Sequence, residues 1–162
     1  VYNSSFYNME EKIASVAYSP YCLCTTSTIA TLDQNASDPN QTLYRSAHPW
    51  YVAKSLVEGF QEKNILVPLI FAAGQPLTLR FWASVDTINV LEPTVGRRET
   101  LCSFGRLEEV NPIWSSLDSI FLAPSEWQLD REHIEQLSIR RQSLTSKDLY
   151  PYAICETPAF IK

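Results

Sequence analysis

Apolar residues are densest between Asn64 and Glu92, where NILVPLIFAAGQPLTLRFWASVDTINVLE is interrupted only by Gly74, Gln75 and Pro76. The pattern predicts two strands joined by a tight turn. Ile65 to Ala72 is almost continuously apolar, as expected of a strand buried on both faces. Pro68 stands inside it and cannot donate to a ladder, so an edge or a bulge is expected at that point. In the second strand Leu77, Leu79, Phe81, Ala83 and Val85 alternate with Thr78, Arg80, Trp82, Ser84 and Asp86. This is the two-residue period of a strand with one core face and one polar face. After Asp86 the apolar phase moves to Ile88 and Val90, which would turn the core face of a regular strand to water. One extra residue near Asp86 and Thr87 restores the phase, and a β-bulge or bend is predicted there.

Val52, Leu56 and Phe60 recur at a spacing of four between Tyr51 and Lys63, with Lys54, Glu58, Gln61 and Glu62 elsewhere on the wheel. That is an amphipathic helix with Pro49 near its first turn. The remaining chain reads in shorter pieces. Asn8 with Glu11 suggests a capped helix over Met9 to Val16, within an N-terminal segment, residues 1–20, that packs peripherally. YCLCTTSTIATL from Tyr21 to Leu32 favours a strand, and DQNASDPNQT from Asp33 to Thr42 a loop. A turn at Gly96-Arg97-Arg98 leads to a strand over Glu99 to Phe104, then one helical turn between Gly105 and Val110. A strand over Asp118 to Leu122, a helix between Ser125 and Arg141 and a closing strand over Tyr150 to Ile154 complete the chain.

These elements predict one α+β domain over residues 1–162: a curved, mainly antiparallel sheet or small open β-barrel with about three flanking helices. Small barrels of the PUA and ASCH kind share this mix, an analogy of fold that carries little functional weight. With 162 residues the chain can bury roughly 70% of its unfolded surface. Hydrophobic residues at 45% and charged residues at 19% place it among globular proteins rather than disordered ones.

A net charge of −5 argues against nucleic-acid binding by bulk electrostatics and leaves room only for a local basic patch. No apolar run approaches the length of a membrane span, and no membrane partner is expected. Cys22, Cys24, Cys102 and Cys155 are scattered as reduced thiols would be, which suggests a cytoplasmic setting in which the sequons at Asn3, Asn35 and Asn40 are unused. A zinc site on Cys22 and Cys24 is the sharper alternative, but the matching second pair is missing, so neither metal nor other cofactor is expected.

Two constellations could carry chemistry. Tyr44, Arg45, His48, Trp50 and Tyr51 crowd aromatic, cationic and imidazole groups into a short stretch, as anion binder, acid/base and stacking walls or as an anchored loop. Arg80, Trp82, Ser84 and Asp86 form the polar face of the central strand, which would line a pocket if the sheet closes around it. Arg97 and Arg98 in a turn and Arg131, Arg140 and Arg141 toward the C-terminal helix add basic groups that would form one patch if the fold gathers them with Arg45 and Arg80. The leading expectation is a module that binds a small ring-shaped ligand. A nucleobase or single-stranded nucleic acid would stack on Trp50, Trp82 and nearby tyrosines, with Arg45, Arg97 or Arg98 on phosphate. Alternatives are a small hydrolase or transferase with His48 as acid/base assisted by Asp86, and a non-enzymatic protein-interaction or defence-system component. The phosphate loop, the dinucleotide fingerprint and the serine nucleophile elbow are all missing from the chain.

Overall fold

A computed structural model describes residues 16–38, 40, 42–110, 115–135 and 140–161. The helix expected over Met9 to Val16 lies almost wholly outside the described residues. Within them the strands are β1 (Tyr21–Thr26), β2 (Leu43–Ser46), β3 (Pro68–Ala73), β4 (Thr78–Thr94), β5 (Arg97–Phe104), β6 (Glu108–Glu109) and β7 (Ala153–Glu156). The helices are α1 (Ile29–Ser37), α2 (Tyr51–Gln61) and α3 (Glu126–Glu135), with single 3-10 turns at Leu117–Ser119 and Ser146–Leu149.

The architecture is α+β, and the sheet is open and mixed. Its order is β2-β5-β4-β3-β1-β7, with β6 also beside β4. β1 and β3 are parallel, and the other pairings are antiparallel. The expected barrel is not formed, and the likeness to PUA and ASCH barrels is not confirmed. The reason lies in β4. Its first half pairs with β3, but beyond Val85 it pairs with β5 alone and runs out to Thr94 as a ribbon. A strand that leaves one partner for another splays the sheet, and the end strands β2 and β7, of four residues each, do not meet.

β4 carries three irregularities where the apolar pattern announces one, the outermost between Leu91 and Thr94 against β5 near the hairpin end. The predicted bulge is present: the register with β5 jumps between Val85 and Thr87, leaving Asp86 as the extra residue. A second jump opposite Phe71 and Ala72 makes Arg80 extra. The alternation from Leu77 to Val85 is therefore split between two cores. Leu79 and Trp82 face one layer, with Leu77 packed beside them, while Ala83 and Val85 face the other, with Phe81 beside them. Both faces of the sheet are buried at this point, so either phase finds an apolar partner and the pattern conceals the slip.

One core lies under the helices. Leu23, Leu69, Phe71, Ala83, Val85 and Phe104 pack against Leu32 of α1 and Ala53 and Val57 of α2. The opposite face sets Cys22, Cys24, Ile70, Leu79 and Trp82 against Val110, Ile120, Leu144, Leu149 and Ile161. All six residues of β3 are buried, as its continuous apolar run predicts. Pro68 occupies the first position of that strand, where its missing donor costs little, rather than an edge or bulge.

Three local expectations are corrected. The strand expected to Leu32 stops at Thr26, and α1 takes over: the Thr28 hydroxyl accepts a hydrogen bond from the Thr31 amide at 3.1 Å, and Leu32 seals the core. Much of the expected Asp33–Thr42 loop is thus helix. Gly105 to Val110 forms the two-residue strand β6 instead of a helical turn. Asp118 to Leu122 is a 3-10 turn followed by two isolated bridges.

Candidate functional site

The aromatic-basic stretch after β2 is built around one buried anchor. Trp50 is fully enclosed, packed against Tyr152 at 4.6 Å and Tyr44 at 5.6 Å between ring centroids. Its backbone N–H donates to the Thr100 hydroxyl at 2.9 Å, and that hydroxyl donates to the His48 carbonyl at 2.7 Å. Thr100 is itself fully buried in β5, so this bridge ties the start of α2 to the ribbon. The Tyr152 hydroxyl accepts from the Ala53 amide at 3.1 Å and satisfies one of the open donors of the helix start.

This anchoring sorts the predicted residues into two groups. Tyr44 points inward, donating to the Thr26 carbonyl at 3.1 Å and lying 3.2 Å from the Thr25 hydroxyl. Burial holds its phenol above the usual value, partly offset by the hydrogen bond with Thr25. Tyr44 and Trp50 are therefore fold-holding aromatics. Trp82 joins them at 7% exposure, edge-on to Tyr18 across 5.6 Å in the second core. The polar face it was expected to lead lines no common pocket. A full layer of side chains covers Trp82, whereas Arg80 lies beside the β3–β4 turn, with one guanidinium nitrogen 2.8 Å from where a Cβ on Gly74 would stand. Gly74 has φ +93°, a backbone conformation that favours glycine there.

The second group stays on the surface. β2 and β5 put Arg45 diagonally across from Glu99, and the two pair at 2.5 Å. Arg98 lies over the ring of Tyr51, 5.7 Å from its centroid, a cation–π contact at the start of α2. Arg97, Arg98 and Glu99 line a shallow hollow of about 270 Å³ with Ala47, Pro93 and Thr94. His48 is exposed on the adjoining loop. Tertiary structure thus brings Arg45, His48 and Tyr51 beside Arg97 and Arg98, from stretches about fifty residues apart in the chain.

Asp86 is elsewhere. Ser46, just before His48, pairs with Thr100, which pairs with Val90, four strand positions from Asp86. That is a separation of roughly 13 Å at strand rise. His48 and Asp86 do not form a dyad, and no carboxylate among the described residues partners His48. Asp86 instead lines a cleft of about 520 Å³ with Asn35, Ala36, Thr42, Phe104, Gly105, Arg106 and Leu107. Arg106 and Asn35 were missed by sequence reasoning. The only signal was Gly105-Arg106 directly after a strand, and it reads equally well as a helical turn. Arg140 and Arg141 lie near the opposite end of the sheet, where Arg141 pairs with Glu132 and, at 2.7 Å, with Glu156 beyond β1. The arginines therefore do not gather into one patch.

The four thiols are buried and free. Cys22 stands directly opposite Cys155, and hydrogen bonding to Cys155 and Cys22, followed by burial, holds the Cys24 thiol well above its ordinary value. Burial, then the charge of Asp86, pushes the Cys102 thiol up to about 12. Such thiols stay protonated and are poor nucleophiles. Among the described residues no cluster of three or more His, Cys, Asp or Glu is arranged to hold a metal ion, and no helix is long and apolar enough to cross a membrane.

Compared with protein-family models, with curated proteins and with solved structures, the chain matches none of them.

Proposed function

We propose that the protein is a binding module for an anionic ligand that carries flat rings, such as a short single-stranded nucleic acid, and that the ligand lies on the ribbon where β2 leaves it. The observation that carries this reading is the convergence of Arg45, His48 and Tyr51 with Arg97 and Arg98 on one stretch of exposed surface. A base stacks on the Arg98 guanidinium, which already lies over the Tyr51 ring, while Arg97 and Arg45 take phosphate oxygens. Trp50 and Trp82 take no part, because both are core residues. The net charge of −5 confines attraction to this patch. Two arginine–phosphate contacts to a single strand give a log–log salt slope of about −1.4. The buried free thiols support a reducing compartment, in keeping with a cytoplasmic setting.

Fluorescence anisotropy with short labelled single-stranded oligonucleotides at low salt tests this. Saturable binding with that salt slope, weakened by Arg97→Ala and by Arg98→Ala while Arg131→Ala leaves it unchanged, supports the module. Absence of saturable binding to every oligonucleotide, or equal binding by the Arg97→Ala/Arg98→Ala protein, removes it.

A second reading, a protein-interaction module, is favoured by the exposed apolar residues along the same ribbon. Val95 is 99% exposed at the hairpin tip, Leu91 is exposed four residues before it on β4, and Leu43 is exposed at the other end of the ribbon on β2. A strictly monomeric protein that captures no partner through an intact hairpin, and loses none on Val95→Lys, would speak against it.

A further inference from the structure

The cleft at Asp86 differs from the arginine surface in one respect: its polar side chains are uncommitted. We propose that it is a separate binding site for a small zwitterion, a ligand of the α-amino-acid class that carries both an amine and a carboxylate. Asp86, Arg106, Asn35 and Thr42 all line this cavity of about 520 Å³. None of their side chains makes a hydrogen bond or ion pair with any described residue, so the carboxylate and the guanidinium share the cleft without pairing with each other. Phe104 and Leu107 supply an apolar floor continuous with the helix-covered core, and Ala36 of α1 a small side wall. A cavity of this size, with an apolar floor and a few convergent polar groups, is the ordinary make-up of a small-ligand site.

The cleft exists because two chain irregularities face each other across the sheet. Asp86 is the bulged residue of β4, and its carbonyl is held by the side-chain amide of Gln61, which donates at 2.8 Å from the end of α2. On the partner strand the chain leaves β5 at Gly105, whose amide donates to the Ser84 carbonyl at 2.8 Å. The Phe104 amide turns the other way, donating to the Thr42 carbonyl at 3.0 Å. Both rims are thus pinned by backbone hydrogen bonds, and the two charges project from fixed main chain rather than from a loose loop. Opposite charges that line one cleft and form no ion pair with each other match a ligand that carries both signs. The ammonium goes to Asp86, the carboxylate to Arg106 as a bidentate acceptor, and an aliphatic ligand side chain to Phe104 and Leu107. Asn35 and Thr42 are left to complete the hydrogen bonds of the two polar groups.

The test is titration of the isotope-labelled full chain, followed by amide chemical shifts, with L-leucine, isoamylamine and 4-methylvalerate as separate probes. L-leucine is expected to shift the amides of Asp86, Thr87, Gly105 and Arg106 saturably, and the two half-ligands to bind about tenfold more weakly or worse. Asp86→Asn and Arg106→Gln, both at exposed positions, should keep the native spectrum and each lose about tenfold in L-leucine affinity. Isoamylamine should lose its residual affinity only in Asp86→Asn, and 4-methylvalerate only in Arg106→Gln. The proposal is overturned if L-leucine gives no saturable shift at millimolar concentration, if either half-ligand binds as well as the zwitterion, or if both variants bind as the parent does. The arginine surface contributes no group to this site, so failure here leaves the oligonucleotide experiment untouched, and the reverse.

Discussion

The two halves of β4 are one strand in the chain and two different materials in the protein. From Thr78 to Val85 it lies between β3 and β6 with apolar layers on both faces. From Asp86 to Thr94 it is one strand of a ribbon, and of its own residues there only Ile88 is buried. The difference shows what a bulge can do. One extra residue keeps Ile88 pointed at the core while redirecting the strand away from β3, and beyond it the sequence is released from packing. Both candidate sites lie on the released side of that point or at it, where side chains need not fill a core and charged groups can stay hydrated.

The contrast can be broken most forcefully in the packed half. Phe71→Ala removes a ring that touches Tyr44 and Phe104 at 5.7 and 5.4 Å between centroids, and should cost about 3–5 kcal/mol, read as a fall in the urea midpoint at unchanged m-value. A loss below about 1 kcal/mol would mean that the core under the helices is far looser than described. The seam between ribbon and helix comes next. Thr100→Val removes a hydroxyl that serves both the Trp50 amide and the His48 carbonyl, leaving two polar groups without their partner, for an expected cost of about 2–3 kcal/mol. Thr100→Ser, which keeps the hydroxyl and drops only the methyl, should recover most of it.

Alkaline pH supplies a third probe. The Cys102 thiol is protonated in both states below pH 9, so it contributes no slope there. Between 9 and about 12 the unfolded chain has lost this proton and the native protein keeps it, so stability falls as pH rises. The loss is about 1.4 kcal/mol per pH unit for one such thiol, and Cys102→Ala should flatten the curve by that amount in pH-dependent urea unfolding. Persistence of the full slope in that variant would assign it to Cys24, Tyr44 and Tyr152, which are raised as well. The smallest effects belong to the ribbon. Arg45→Ala breaks an exposed pair with Glu99 and should change stability by less than about 1 kcal/mol, and Val95→Lys at the hairpin tip by less than about 0.5 kcal/mol. If either unfolded the protein, the ribbon would be part of the folding core and not an appendage to it.

Local patterns were legible wherever one force acts alone. The spacing of Val52, Leu56 and Phe60 locates α2 but not its buried face, since Ala53 and Val57 are buried and Val52 is 63% exposed, while the unbroken apolar run identifies β3 and the phase jump after Val85 identifies the bulge. Reading failed where two environments are equivalent or a single cap decides. The slip at Arg80 is silent because β4 is covered on both sides there. α1 hides in a polar sequence because one Thr28 hydroxyl and one Leu32 side chain suffice to start and hold it. For the site, the stretch from Tyr44 to Tyr51 stood out correctly as unusual, but composition could not tell its anchors from its exposed groups.

By itself, then, the sequence determined an α+β chain with a two-sided central strand, a bend at Asp86 and enough apolar matter for a core. Periodicity and local sterics are carried by neighbouring residues, which is why these features can be read along the chain. Only the tertiary structure decided that the sheet stays open and that Trp50 and Trp82 are fillers rather than stacking platforms. It also decided that Arg98 finds Tyr51 and that Asp86 shares a cleft with Arg106 rather than with His48. Each of these depends on strand order and register, which are set by contacts between residues far apart in sequence and leave no period to read.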